Sequence, residues 1–153
     1  MNDTVLDKNT SVEQSDVGSK LCKFTDTTSY HQYSPFIYPE FLLTDGVYLL
    51  TKNCAGYKLI DFIARQQQNP IISHHRRLQR IQFWSLRVND AQRNPKGVIQ
   101  CDWDKDMTVF EETIEVIDFP LEAIEIWVCP YVPTLYEPEI KRCSKLAMLP
   151  SEY

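Results

Sequence analysis

The apolar residues of this 153-residue chain change their spacing once, and that change confines the fold. Between Thr44 and Gln67 they recur at helical intervals, with Val47, Leu50 and Cys54 on one stripe and Leu59, Ile60, Phe62, Ile63 and Ala64 spread around much of a second helix. Thr44 stands where an N-cap belongs, Asp45 suits a first turn, and Gly56 is a natural break between the two helices. Asn69 and Pro70 end the helical block, and the polar stretch Ser73 to Arg80 connects it onward. Beyond Ile81 the interval becomes two. Trp84, Leu86 and Val88 mark one strand face, Ile99, Cys101 and Trp103 a second, Phe110, Ile114 and Val116 a third, and Ile124, Ile126 and Val128 a fourth. The connections through Asn94-Pro95-Lys96-Gly97, Asp104-Lys105-Asp106 and Asp118-Phe119-Pro120 are short and turn-like, so neighbouring strands are expected to pair antiparallel. The expected fold class is α+β: two layers, a helix pair packed on a four- to five-stranded antiparallel meander sheet.

Residues 1–20 are polar and carry too little apolar area to offset the entropy of ordering them, so a disordered N-terminal tail is expected, followed by a single α+β domain over 21–153. Phe24, Tyr30, Tyr33, Phe36 and Tyr38, interrupted by Pro35 and Pro39, predict an ordered aromatic loop. Pro130, Pro133 and Pro138 predict an extended, Pro-rich excursion at about 130–143. No window approaches the roughly 18 apolar residues of a membrane span, and the first residues lack a basic and apolar leader. A cytoplasmic location and no membrane partner are the expectation. Five cysteines (Cys22, Cys54, Cys101, Cys129, Cys143) without a C-x-x-C pair read as buried free thiols. Cys129 and Cys143, symmetric about Tyr136, would meet as a thiol pair if the excursion is a hairpin.

Charge is sorted along the chain. From Phe62 to Asn89 there is no acid but there are Arg65, Arg76, Arg77, Arg80 and Arg87, whereas Asp102 to Glu125 holds Asp102, Asp104, Asp106, Glu111, Glu112, Glu115, Asp118, Glu122 and Glu125 against the single base Lys105. Such sorting gives a folded molecule faces of opposite potential. His74-His75 with Arg76, Arg77 and Arg80 is a candidate phosphate-contact patch, or a solvated connector. Adjacent histidines do not aim at one ion, and Asp102, Asp104 and Asp106 open like a calcium loop but continue with Met107 where Gly should follow and Thr113 where Glu should close it. No metal or cofactor is expected. With Trp84, Leu86, Ile114 and Ile126 facing the helices, Ile81, Phe83, Val109 and Trp127 would face away, among Arg87, Glu111, Glu115 and Glu125. An apolar, aromatic patch with a charged rim is what a protein interface presents, unless another part of the chain covers it.

Phe24-Thr25, Leu43-Thr44-Asp45-Gly46-Val47, Ala55-Gly56-Tyr57 with Leu59 and Asp61, Phe83-Trp84-Ser85-Leu86, Asp118-Phe119-Pro120-Leu121 and Leu149-Pro150-Ser151-Glu152-Tyr153 occur in an order that resembles an uncharacterised bacterial domain family, common in cyanobacteria and on mobile elements. The resemblance implies a shared fold and transfers no activity. The functional expectation is a small non-enzymatic domain that binds another protein or its own copy, with Phe83 and Trp127 as anchors and Val109, Glu111, Glu115 and Glu125 around them. A nucleic-acid accessory protein using His74, His75, Arg76, Arg77 and Arg80 is the alternative, disfavoured because the aromatic face is acidic. An enzyme ranks third. No phosphate-cradling Gly-rich loop, nucleophile elbow or H-E-x-x-H motif occurs, and Asp61 with a His and a thiol would have to be assembled by the fold.

Overall fold

The computed structural model describes residues 20–21, 29–33, 40–53, 56–89, 96–116, 119, 121–131 and 144–153. The expected tail, apart from Lys20, and residues 132–143 of the Pro-rich excursion, Cys143 included, lie outside the described residues. The helical block is where its spacing puts it. Asp45–Thr51 is α1, opened by an extended Thr44, and Gly56–Gln66 is α2. At Gly56 an added Cβ would run into the Leu50 carbonyl, so the close approach of the two helices requires a residue without a side chain. Two short elements occupy the stretch expected to be a connector. Pro70–Ser73 forms α3, with Asn69 Oδ1 accepting from the Ile71 N–H at 3.0 Å and proline at the first helical position. Arg77–Gln79 forms a 3₁₀ turn. Ile72 and Leu78, 0% and 1% exposed, pin these elements to the core and leave their polar residues outside. Among the described residues no helix is long and apolar enough to cross a membrane.

The sheet is larger than expected and wound differently. Its strands are β1 (His31–Gln32), β2 (Phe41–Leu43), β3 (Gln82–Asn89), β4 (Lys96–Asp102), β5 (Thr108–Glu115), β6 (Ala123–Tyr131) and β7 (Ser144–Met148), in the spatial order β1-β2-β7-β6-β3-β4-β5. The expected four- to five-stranded meander is corrected in two respects. First, β6 does not continue beyond β5 but returns to β3, pairing Trp84 with Ile126 and Phe83 with Trp127, so β6-β3-β4-β5 is a Greek key. Burial explains the choice: β3 is hydrophobic enough to be central, whereas β5 carries Glu111, Glu112 and Glu115, and charge on a strand suits an edge. Second, β2 and β7 join the sheet as a parallel pair, with Leu42 opposite Leu146. Both are short runs buried on either face, so neither shows the alternation by which the other strands are recognised.

The main core lies between the helices and the inward face of the sheet. Val47, Leu50, Leu59, Ile60, Phe62 and Ile63 from the helices meet Trp84, Leu86, Ile99, Cys101, Ile126 and Val128 from the strands. Each fully buried aliphatic contributes about 1.5–3 kcal/mol. One polar group sits among them at low cost. Gln82, 1% exposed, exchanges two 2.9 Å hydrogen bonds with Gln67 at the end of α2, and its Oε1 also accepts from Trp84 Nε1 at 2.8 Å. A second, smaller cluster of Leu42, Leu146 and Met148 forms on the opposite side of the sheet, flanked by Trp127, Cys129 and Tyr131.

Candidate functional site

Cross-strand register decides which side chains leave the core. Because Trp84 and Leu86 are buried, Phe83, Ser85 and Arg87 project from the other side of β3, opposite Trp127, Glu125 and Ala123 of β6 and Asp102, Gln100 and Val98 of β4. Phe83 and Trp127 meet edge to face, ring centroids 5.1 Å apart, and Tyr153 packs on Trp127 at 5.4 Å. Phe83 and Trp127 border a shallow hollow of about 730 Å³ that is also lined by Arg87, Gln100, Asp102, Asp104, Lys105, Asp106 and Glu125. Asp102 Oδ1 is shielded from solvent without a hydrogen-bond partner.

Phe83, Trp127 and Glu125 are thus brought together as expected from alternation, but other expected members are placed elsewhere. Val109 is corrected: a β-bulge pairs Cys101 with Phe110 and Asp102 with Thr108, leaving Val109 the extra residue and turning it onto the core. Glu111 and Glu115 do stand on the outward side, opposite Gln100 and Lys96, yet on edge strand β5 and outside the hollow; Gln100 Nε2 donates to Glu111 at 2.9 Å. Ile81 lines a different hollow. The aromatic face is also partly covered, since Met148 pairs with Trp127 in register and Tyr153 leans on its ring.

The second hollow, of about 440 Å³, is lined by Arg76, Arg77, Arg80, Ile81, Trp103 and Asp104. Arg77 Cζ lies 4.1 Å from the centre of the Trp103 indole. All three arginines are exposed, and neither His74 nor His75 reaches this hollow. Asp104 borders both hollows from the turn that reverses β4 into β5, where Met107 N–H donates to Asp104 O at 3.0 Å and Asp106 takes a left-handed φ of 58°. The Asp102 to Asp106 segment is therefore a hairpin turn, as its composition predicts.

Two constellations were not legible in the sequence. Glu152 is 8% exposed, and its carboxylate gathers three donors: Thr44 Oγ1 at 2.6 Å and Leu149 N at 3.1 Å on Oε1, and Gly46 N at 3.2 Å on Oε2. Thr44 flanks α1 without capping it, because its hydroxyl is turned to Glu152. Near β1, Ser29 Oγ donates to Asp45 Oδ1 at 2.8 Å, His31 Nε2 lies 2.9 Å from the same oxygen, and the His31 ring stacks on Tyr48 at 3.9 Å. Serine and carboxylate both address Nε2, 3.3 Å and 2.9 Å away, so the imidazole does not bridge them as a proton relay would require. Asp61 accepts from Tyr33 Oη and pairs with Arg65 within α2, 3.3 Å in each case. Cys101 is buried in the core and its thiol is pushed up to about 12 by burial, with the Asp102 charge adding to the effect. Among the described residues no group of His, Cys, Asp or Glu is placed to hold a metal ion.

The profile of a family of unknown function (DUF6876) matches residues 15–153. No curated protein and no solved structure matches the chain.

Proposed function

We propose that this chain, which belongs to that family of unknown function, is a binding module whose outward sheet face receives a cationic, aromatic-containing segment of another protein. The observation that carries the reading is the row Phe83–Trp127–Tyr153 alongside a hollow in which the carboxylates of Asp102, Asp104, Asp106 and Glu125 outnumber the cations Arg87 and Lys105. Rings supply area that is costly to leave wet, and carboxylates select the sign of what covers it. The Asp102 carboxyl group, opposite Phe83 across the β3–β4 pair and lining the hollow, supports a guanidinium or ammonium donor from the incoming chain.

Arrays of twelve-residue peptides of graded charge, read against the full chain, test this. Lys- and Arg-rich peptides carrying an aromatic residue should be retained over acidic ones, with tenfold or greater loss of affinity, about 1.4 kcal/mol, in Trp127→Ala and in Asp102→Asn. Circular dichroism shows whether each variant is folded. Retention independent of peptide charge, or unchanged in folded Trp127→Ala, refutes the assignment.

A further inference from the structure

We infer that Arg76, Arg77 and Arg80, arrayed around Trp103, form a site for single-stranded nucleic acid, separate from the aromatic face. Each arginine reaches this place for a structural reason. Leu78 is buried and holds the 3₁₀ turn Arg77–Gln79 against the core, so the flanking Arg76, Arg77 and Arg80 are driven to the surface within one turn of each other. Trp103 follows directly after the bulge that ends β4, with its backbone N–H tied to Met107 O at 3.2 Å, and one indole face is covered by the Arg77 guanidinium 4.1 Å away. Contact with the indole restricts the freedom of that guanidinium. The rest of the indole packs against the main core, and Trp103 lines the hollow of about 440 Å³ together with the three arginines.

The electrostatics differ from those of the arginine on α2. Arg65 has Asp61 at 3.3 Å, whereas among the described residues no carboxylate lies within ion-pair distance of Arg76, Arg77 or Arg80. Asp104 also lines the hollow and disfavours a phosphate beside it, which leaves the arginines for the anion. Three guanidinium groups without a carboxylate partner among the described residues, on a chain of net charge -5, are a local reversal of sign. Guanidinium groups hold phosphate oxygens through paired N–H donors, and the plane of an arginine or an aromatic ring stacks an unpaired base. A base on the free face of Arg77 would continue the stack begun by Trp103, and the phosphates on either side of it would fall to Arg76 and Arg80. A base in a duplex is already stacked and cannot enter, so the occupant is single-stranded.

Fluorescence anisotropy of the full chain with labelled twelve-nucleotide single strands, and with the same sequence as a duplex, is the test. Single strands should bind more tightly than the duplex, with log Kd varying with log salt at a slope of about 1.4 for two phosphate contacts, and Arg76→Ala or Arg80→Ala should each lower the slope by roughly 0.7. Arg77→Lys keeps the charge and loses the plane, and should weaken binding about tenfold at unchanged slope; it also leaves Trp103 in place to support the fold. Absence of binding at 20 mM salt, or binding unaffected by the triple Arg→Ala variant, overturns the inference. Equal competition by inorganic phosphate and by a nucleoside monophosphate overturns the stacking role, and a monophosphate as strong as the strand replaces the strand with a free nucleotide. Trp127→Ala should leave this binding unchanged, which separates its failure from that of the peptide reading.

Discussion

Replacing Glu152 with alanine removes the acceptor for the Thr44 hydroxyl and for the N–H groups of Gly46 and Leu149 in one step. Hydrogen bonds to a charged group contribute about 1.5–3 kcal/mol each, and a buried donor left alone costs about 1–3 kcal/mol. These amounts are not additive, because the three donors share one carboxylate and water can enter beside the 8% exposed side chain. A total loss of about 3–4 kcal/mol is expected, a large share of the roughly 5–15 kcal/mol that holds a domain folded. For a chain of this size the loss lowers Tm by roughly 6–16 °C. Glu152→Gln keeps the shape and one acceptor but turns an N–H toward donors, and should cost about 1–2 kcal/mol. Urea unfolding of both variants, combined with Thr44→Val in a double-mutant cycle, reads the coupling directly. A Glu152→Ala cost below about 1 kcal/mol, or additive effects with Thr44→Val, would show that the carboxylate does not tie the two segments together.

Gly46→Ala should destabilise although alanine favours a free helix by about 1 kcal/mol. Its Cβ would stand 2.5 Å from Leu149 Cδ1 and 2.7 Å from Glu152 Oε1, overpacking that costs about 1–3 kcal/mol, and a raised Tm would contradict this. The Cys101 thiol, raised from 9.0 to about 12, stays protonated in the folded state while the unfolded thiol ionises. Its contribution is whole below pH 9 and falls by roughly 1.4 kcal/mol per pH unit between 9 and 12, as the unfolded state sheds a proton that the folded state keeps. Urea midpoints at pH 8 and pH 10 should therefore fall more steeply in the parent than in Cys101→Ala; equal slopes would refute the assignment.

Local signals carried the parts of the fold that local chemistry determines. The Thr44 boundary, the Gly56 break, and the alternation of Trp84, Leu86, Ile126 and Val128 are short-range patterns, and α1, α2, β3 and β6 follow them. Which strand β6 lies beside is a long-range choice between a central and a charged edge position, invisible to periodicity. β2 and β7 are buried on both faces and give no alternation to read. At the candidate sites, alternation placed Phe83, Trp127 and Glu125 on one face, but a single-residue bulge took Val109 off it. Trp103 reads as the last inward residue of a strand, and only the 3₁₀ turn at Leu78 brings Arg77 over it. Glu152 gives no hint of burial, since two of its three donors come from residues 44 and 46, far away in sequence.

β7 lies inside the sheet, between β2 and β6, although it is the last strand along the chain. During synthesis, therefore, Phe41–Leu43 has no partner on that side until Ser144–Met148 leaves the ribosome. The nascent polypeptide must carry an unsealed seam until β7 emerges, and closing it joins segments far apart in sequence, a slow step because the loop entropy is lost before the pairing is gained.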